Sequence, residues 1–167
     1  MRIRREESQD VQQIRTINAA AFGTDAEANI VDALRSEAAD VISLVAEDDS
    51  QVVGHIMFSP VHVVGAAGLR ATALAPMAVI PQRQRLGIGS ALVKAGLEEC
   101  RRSGADAVFV VGHPSYYPRF GFSPASGFGF QCEFDVADDA FMAAELLPRA
   151  LSGRAGTVYF HEAFRDA

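Results

Sequence analysis

Cysteine is scarce in this chain. Two occur, Cys100 and Cys132, 32 positions apart with no second cysteine near either. That spacing suits neither a zinc site nor a disulfide framework, so both read as reduced thiols of a cytoplasmic protein. No apolar run approaches the ~20 residues that cross a bilayer, so no membrane partner is expected. The first ten residues, MRIRREESQD, are polar and of mixed charge, unlike a secretory signal. A block of Lys and Arg is also missing and the net charge is −6, which argues against nucleic acid as a partner. The sequence has no cluster with metal-ligand spacing, no internal repeat and no disordered linker, so no metal is expected.

What is present is 167 residues, 49% of them apolar, enough for one domain spanning 1–167 with an ordinary core. Residues 2–5 read as a first strand. Ser8 is placed to cap a helix over 9–22, with Val11, Ile14, Ile17 and Ala21 as its buried stripe. Thr24 and Glu27 have capping-box spacing before a second helix carrying Ile30, Val31 and Leu34 inward. Residues 41–47 and 51–60 read as a hairpin about an acidic turn, extended over 61–64, and 70–80 as a third antiparallel strand. Pro76 cannot donate to a ladder, so a bulge is expected there. A helix over 86–102 and an apolar strand over 106–112 complete a βαβ unit, with strands 70–80 and 106–112 parallel. Residues 128–134 and 157–160 read as further strands, and Asp138 as the cap of a helix to Leu147. The expected class is α/β (α+β): a mixed, mostly antiparallel sheet flanked by helices.

Between strand 70–80 and the next helix stands Gln84-Arg85-Leu86-Gly87-Ile88-Gly89. Glycines let backbone amides approach an anion, and a helix start adds unpaired N–H groups and a positive dipole end. The same glycines also suit tight strand–helix packing alone. A phosphate-loop nucleotide site is excluded by the missing Lys-Ser/Thr, and a dinucleotide fingerprint by Leu92 at its third glycine position.

Val79-x-Pro81 followed by Gln84-x-x-Gly87-x-Gly89 resembles the signature of the GCN5-related N-acetyltransferases. Downstream, Tyr116-Tyr117-Pro118-Arg119-Phe120-Gly121-Phe122 is similar to that family's second hallmark. Gly-His-Pro-x-Tyr-Tyr-Pro-Arg-Phe-Gly-Phe resembles a YhbS-like bacterial subgroup. The resemblance implies acetyl-CoA as co-substrate and an amine acceptor. It implies that Met77, Ala78 and Val79 pair with the pantetheine arm. It places the pyrophosphate on the amides of Arg85, Leu86, Gly87, Ile88, Gly89 and Ser90, beside Gln84. Strands 70–80 and 106–112 should splay to admit the thioester.

Tyr117 matches the family's tyrosine, and a phenol with pKa about 10 is protonated at neutral pH and able to donate to the departing sulfur. A backbone N–H near Val79 would polarise the carbonyl. The base stays open between Glu27, which also fits a plain cap, His113 at the end of a strand, and a water relay. His55 reads as a structural histidine; His62 and His161 show no partner. The acceptor pocket is expected from residues 22–27, the 60–70 hairpin and the segment after Phe122. Two alternatives stay open, a catalytically silent CoA-binding regulatory module and an interaction domain. An exposed strand edge would allow a homodimer. The acceptor and the use of longer acyl donors are not written in the residues.

Overall fold

The structure is a computed structural model and describes residues 1–165. The first strand, β1 (Arg2–Arg5), leads to helices α1 (Val11–Phe22) and α2 (Ala26–Glu37). β2 (Ile42–Asp48) and β3 (Gln51–Pro60) form the expected hairpin, followed by β4 (His62–Val64) and β5 (Ala71–Val79). Helix α3 (Ile88–Arg102) and β6 (Ala107–Val111) come next, then β7 (Ser123–Pro124), β8 (Phe130–Cys132), β9 (Phe141–Glu145) and β10 (Gly156–Tyr159).

Seven strands make the main sheet in the order β1-β2-β3-β5-β6-β9-β7. All its pairings are antiparallel except β5 with β6, which is the βαβ unit built through α3. Helix α3 lies on one face, where Ile88, Leu92, Val93 and Cys100 share a core with Leu44, Val53, Phe58 and Val108. Helices α1 and α2 cover the other face, where Ile14, Ile17, Val31 and Leu34 meet Val45, Met57 and Ala78. Opposite faces are served by alternate strand residues, as the two-residue period of a strand requires. A Cβ on Gly96 would collide with the Phe58 ring, so a glycine there lets α3 lie flat on β3.

Several expectations differ from the structure. Residues 61–64 do not extend β3 in the main sheet; β4 joins β10 and β8 in a separate three-stranded sheet. The helix expected from Asp138 to Leu147 is a single 3-10 turn, Asp138–Ala140, followed by strand β9. Phe141, Met142, Ala143 and Ala144 are all buried between β6 and β7, so a continuous apolar run mimicked a helix. Pairing along β6 outweighs the helix preference of Met and Ala. Finally, Ser8 is not the cap of α1. Glu7 and Asp10 form a reciprocal box around a 3-10 turn, Ser8–Asp10, and α1 starts at Val11.

Candidate active site

The βαβ unit holds its two strands together only at one end. β5 pairs with β6 at Ala71–Ala107, Thr72–Val108 and Ala73–Phe109, after which β6 continues against β9 alone. On its other side, β5 stays on β3 but skips register between Leu74 and Met77, the stretch that contains Pro76. The expected bulge is therefore present. The Ile80 amide donates to the Val53 carbonyl at 3.0 Å. Backbone groups alternate sides along a strand, so those of Val79 and Met77 face the open edge of β5 while those of Ala78 face β3. A cavity of about 910 Å³ follows this edge, lined by Leu74 to Val79, by Val111 at the end of β6 with Gly112 and His113 just past it, and by the start of α3.

At that start, a 3-10 turn, Pro81–Arg83, carries the chain off the end of β5. The Gln84 side chain donates to the Val79 carbonyl at 3.0 Å and ties the loop to the strand. Arg85 and Gly87 both have left-handed backbone, φ 65° and 85°, and Gly87 caps α3. Such a turn gathers successive amides into a concavity, reinforced by the helix dipole. The two glycines serve different ends. Gly87 has open space about it and supplies the positive φ, whereas a Cβ on Gly89 would stand 3.2 Å from the Tyr116 hydroxyl and 3.3 Å from Met77 Cε. The helix begins at Ile88 rather than Leu86, and Leu86, 68% exposed, is not on the cavity wall. Arg83 and Arg85 line it; Arg83 Nη1 also donates to Asp48 Oδ2 at 2.6 Å.

Opposite the cradle, Tyr116 meets Tyr117 and Phe120 edge to face, and Tyr117 meets Phe122 likewise, with ring centroids 5.1 to 5.6 Å apart. Tyr117 is 8% exposed, and burial first, then the nearby Tyr116, pushes its pKa up to about 12. It therefore keeps its proton throughout the physiological range. The Tyr116 hydroxyl lies 3.3 Å from Ser90 Oγ, linking the aromatic turn to the first turn of α3. Arg119 sits over the Tyr116 ring at 4.7 Å.

An acetyltransferase (GNAT) domain model matches residues 2–125, the part of the chain that holds the open strand edge, the helix start and the buried phenol. The chain belongs to this family. It is 37% identical over 165 residues to the uncharacterized N-acetyltransferase YhbS of Escherichia coli strain K12, covering 98% of each chain. The crystal structure of Escherichia coli YhbS in complex with CoA superposes with a TM-score of 0.91 at 35% identity, covering 98% of this chain and 91% of that one. A GNAT acetyltransferase of Brucella melitensis in complex with acetyl-CoA gives 0.80 at 38% identity, covering 98% and 97%.

In this GNAT chain the cavity is also lined from the α1/α2 face, by Ala21, Phe22, Glu27, Ile30 and Phe164. The 60–70 hairpin and the segment after Phe122 do not reach the cavity; the first belongs to the separate sheet and the second runs into β7. Phe164 takes their place, carried there by a C-terminal 3-10 turn that no local pattern marks. The capping box of Thr24 and Glu27 does not form. Asp25 is the N-cap, Thr24 Oγ1 accepts from the Ala26 amide at 3.3 Å, and Glu27 Oε1 is buried with no hydrogen-bond partner among the described residues. His113 lines the cavity. His55 is fully buried, 3.2 Å from Asn18 Nδ2 and 2.9 Å from Ser43 Oγ, and burial lowers its pKa to about 4, which fits a structural role. His161 does have a partner: its Nδ1 accepts from the Ala163 amide at 3.0 Å.

Proposed function

We propose that this GNAT enzyme moves an acetyl group from acetyl-CoA to an amine by direct attack on the thioester. The observation that carries the reading is the open edge of β5 running into the α3 cradle. Met77 and Val79 present backbone groups along the splay, spaced as a strand partner would meet them. An extended pantetheine arm with two amides has that spacing. The amides of Arg85 to Ser90 then receive the pyrophosphate, with Arg83 and Arg85 adding charge. Leu86 takes part through its backbone, and Gln84 by anchoring the loop to Val79.

Acetyl-CoA supplies an activated acyl group and a thiolate leaving group. The Val79 N–H polarises the carbonyl oxygen from the strand edge. Tyr117 donates its phenolic proton to the departing sulfur, for which a raised pKa keeps the group charged with a proton. Tyr116 and Ser90 hold the aromatic turn against the cradle.

Calorimetry with acetyl-CoA and CoA tests donor binding, and release of CoA thiol with amine acceptors tests transfer. Tight donor binding with amine-dependent CoA release is expected. A chain that binds acetyl-CoA but releases none with any amine would be a silent binding module, and one that binds neither would overturn the site.

A further inference from the structure

Glu27 is the single acidic residue on the cavity wall among the described residues. Its side chain is half-buried, and Oε1 has no hydrogen-bond partner among the described residues. A carboxylate oxygen held from water without a donor is expensive, and the helix start does not account for it, because Asp25 occupies the cap and Glu27 closes no box. The wall around it is apolar: Ala21, Phe22, Ile30 and Phe164. The cavity's three arginines, Arg83, Arg85 and Arg119, belong to the cradle and the aromatic turn. Tyr117 packs in the core on the α3 face, whereas Ile30 and Phe164 belong to the α1/α2 face, so the acid and the phenol approach the splay from opposite sides.

We propose that Glu27 binds and deprotonates the acceptor, and that the acceptor is a primary monoamine on an apolar, aromatic-sized body. The inference rests on the acetyl-CoA reading above. One half-buried carboxylate on the wall matches one ammonium. A polyamine or aminoglycoside would set further ammonium groups against apolar walls or arginines, with no acid to receive them. Glu27 takes one proton from the ammonium and passes it to water. The freed lone pair forms the C–N bond as the C–S bond breaks. Tyr117 protonates the sulfur, and the second proton lost from nitrogen restores the phenol, leaving amide and CoA thiol.

The test measures CoA release with phenethylamine and tryptamine against spermidine and kanamycin, alongside acetyl-CoA calorimetry, for wild type, Glu27→Gln and Glu27→Asp. The aromatic monoamines should exceed the polycations by about tenfold or more in kcat/KM. Glu27→Gln should lower kcat/KM for phenethylamine by about 100-fold, with acetyl-CoA affinity unchanged and part of the activity restored in Glu27→Asp. Polycations used as well as the monoamines, no turnover of either monoamine, or a Glu27→Gln enzyme as active as wild type would overturn this inference while donor binding stands. A wild type that binds no acetyl-CoA would overturn the donor reading and this inference together.

Discussion

Gly112 lies beneath the Tyr117 ring so closely that a Cβ at position 112 would overlap Cε2 and stand 2.9 Å from Cδ2. The glycine just past β6 is thus the floor on which the phenol rests. Gly112→Ala should push Tyr117 out of place, lowering kcat more than it changes acetyl-CoA affinity and destabilising the fold by about 1–3 kcal/mol through overpacking. Steady-state kinetics with a thermal melt check both; an alanine enzyme with full kcat would show that the ring position is unimportant.

Removing only the hydroxyl tests the acid role proposed for Tyr117. Tyr117→Phe keeps the packing and should reduce kcat by roughly 10²–10⁴-fold with unchanged donor binding. Because burial raises the phenol's pKa to about 12, its ionisation should impose no alkaline fall in rate below pH 10. A wild-type pH–rate profile that loses activity near pH 9 in step with Tyr117 ionisation, followed by ultraviolet difference spectra, would contradict this.

The two cradle glycines should respond differently. Gly87→Ala must hold a left-handed φ, at about 1–2 kcal/mol, and should weaken acetyl-CoA binding by distorting the amides before α3. Gly89→Ala keeps an ordinary helical backbone but crowds Tyr116 and Met77, so its larger effect should fall on kcat. Calorimetry and kinetics on the two variants separate backbone shape from packing; identical changes in both would mean that the distinction does not hold.

Stability should fall in mild acid because of His55. Its ring stays neutral in the fold down to about pH 4, while in the unfolded chain it takes a proton near pH 6.5. The depressed pKa contributes stability that is fully present above pH 6.5 and lost progressively toward pH 4, by about 3 kcal/mol at most. Urea melts at pH 7.5 and 4.5 should show a smaller loss for His55→Gln than for wild type. Equal losses would assign the acid sensitivity to other groups.

Both thiols should be sluggish toward alkylation. Burial pushes the pKa of Cys100 up to about 12, and burial likewise raises that of the half-buried Cys132. Mass spectrometry after maleimide treatment at pH 8 should find Cys100 unmodified in the native protein and modified in urea.

Much of the donor half could be read along the chain because its determinants are local. Pro76 forbids ladder pairing wherever the strand goes, and the Gln84–Gly89 turn needs its left-handed residues whatever packs above it. Phe141 to Ala144 misled for the opposite reason. A run buried on both sides has no period, and only the vacant flank of β6 decides that it is a strand. Glu27 is ambiguous along the chain because capping-box spacing does not say whether the carboxylate finds a local donor, and in the fold Oε1 finds none among the described residues.

By itself, the sequence determined the βαβ unit, the bulge at Pro76 and the glycine turn before α3, since each depends on backbone chemistry or spacing within a few residues. The tertiary structure alone decided that β5 and β6 part after Ala73, that Gly112 supports Tyr117, and that Phe164 and Glu27 face one splay. Those relationships join residues distant in the chain. They are set by how two helices and a parting sheet fill space, and no local pattern carries that information.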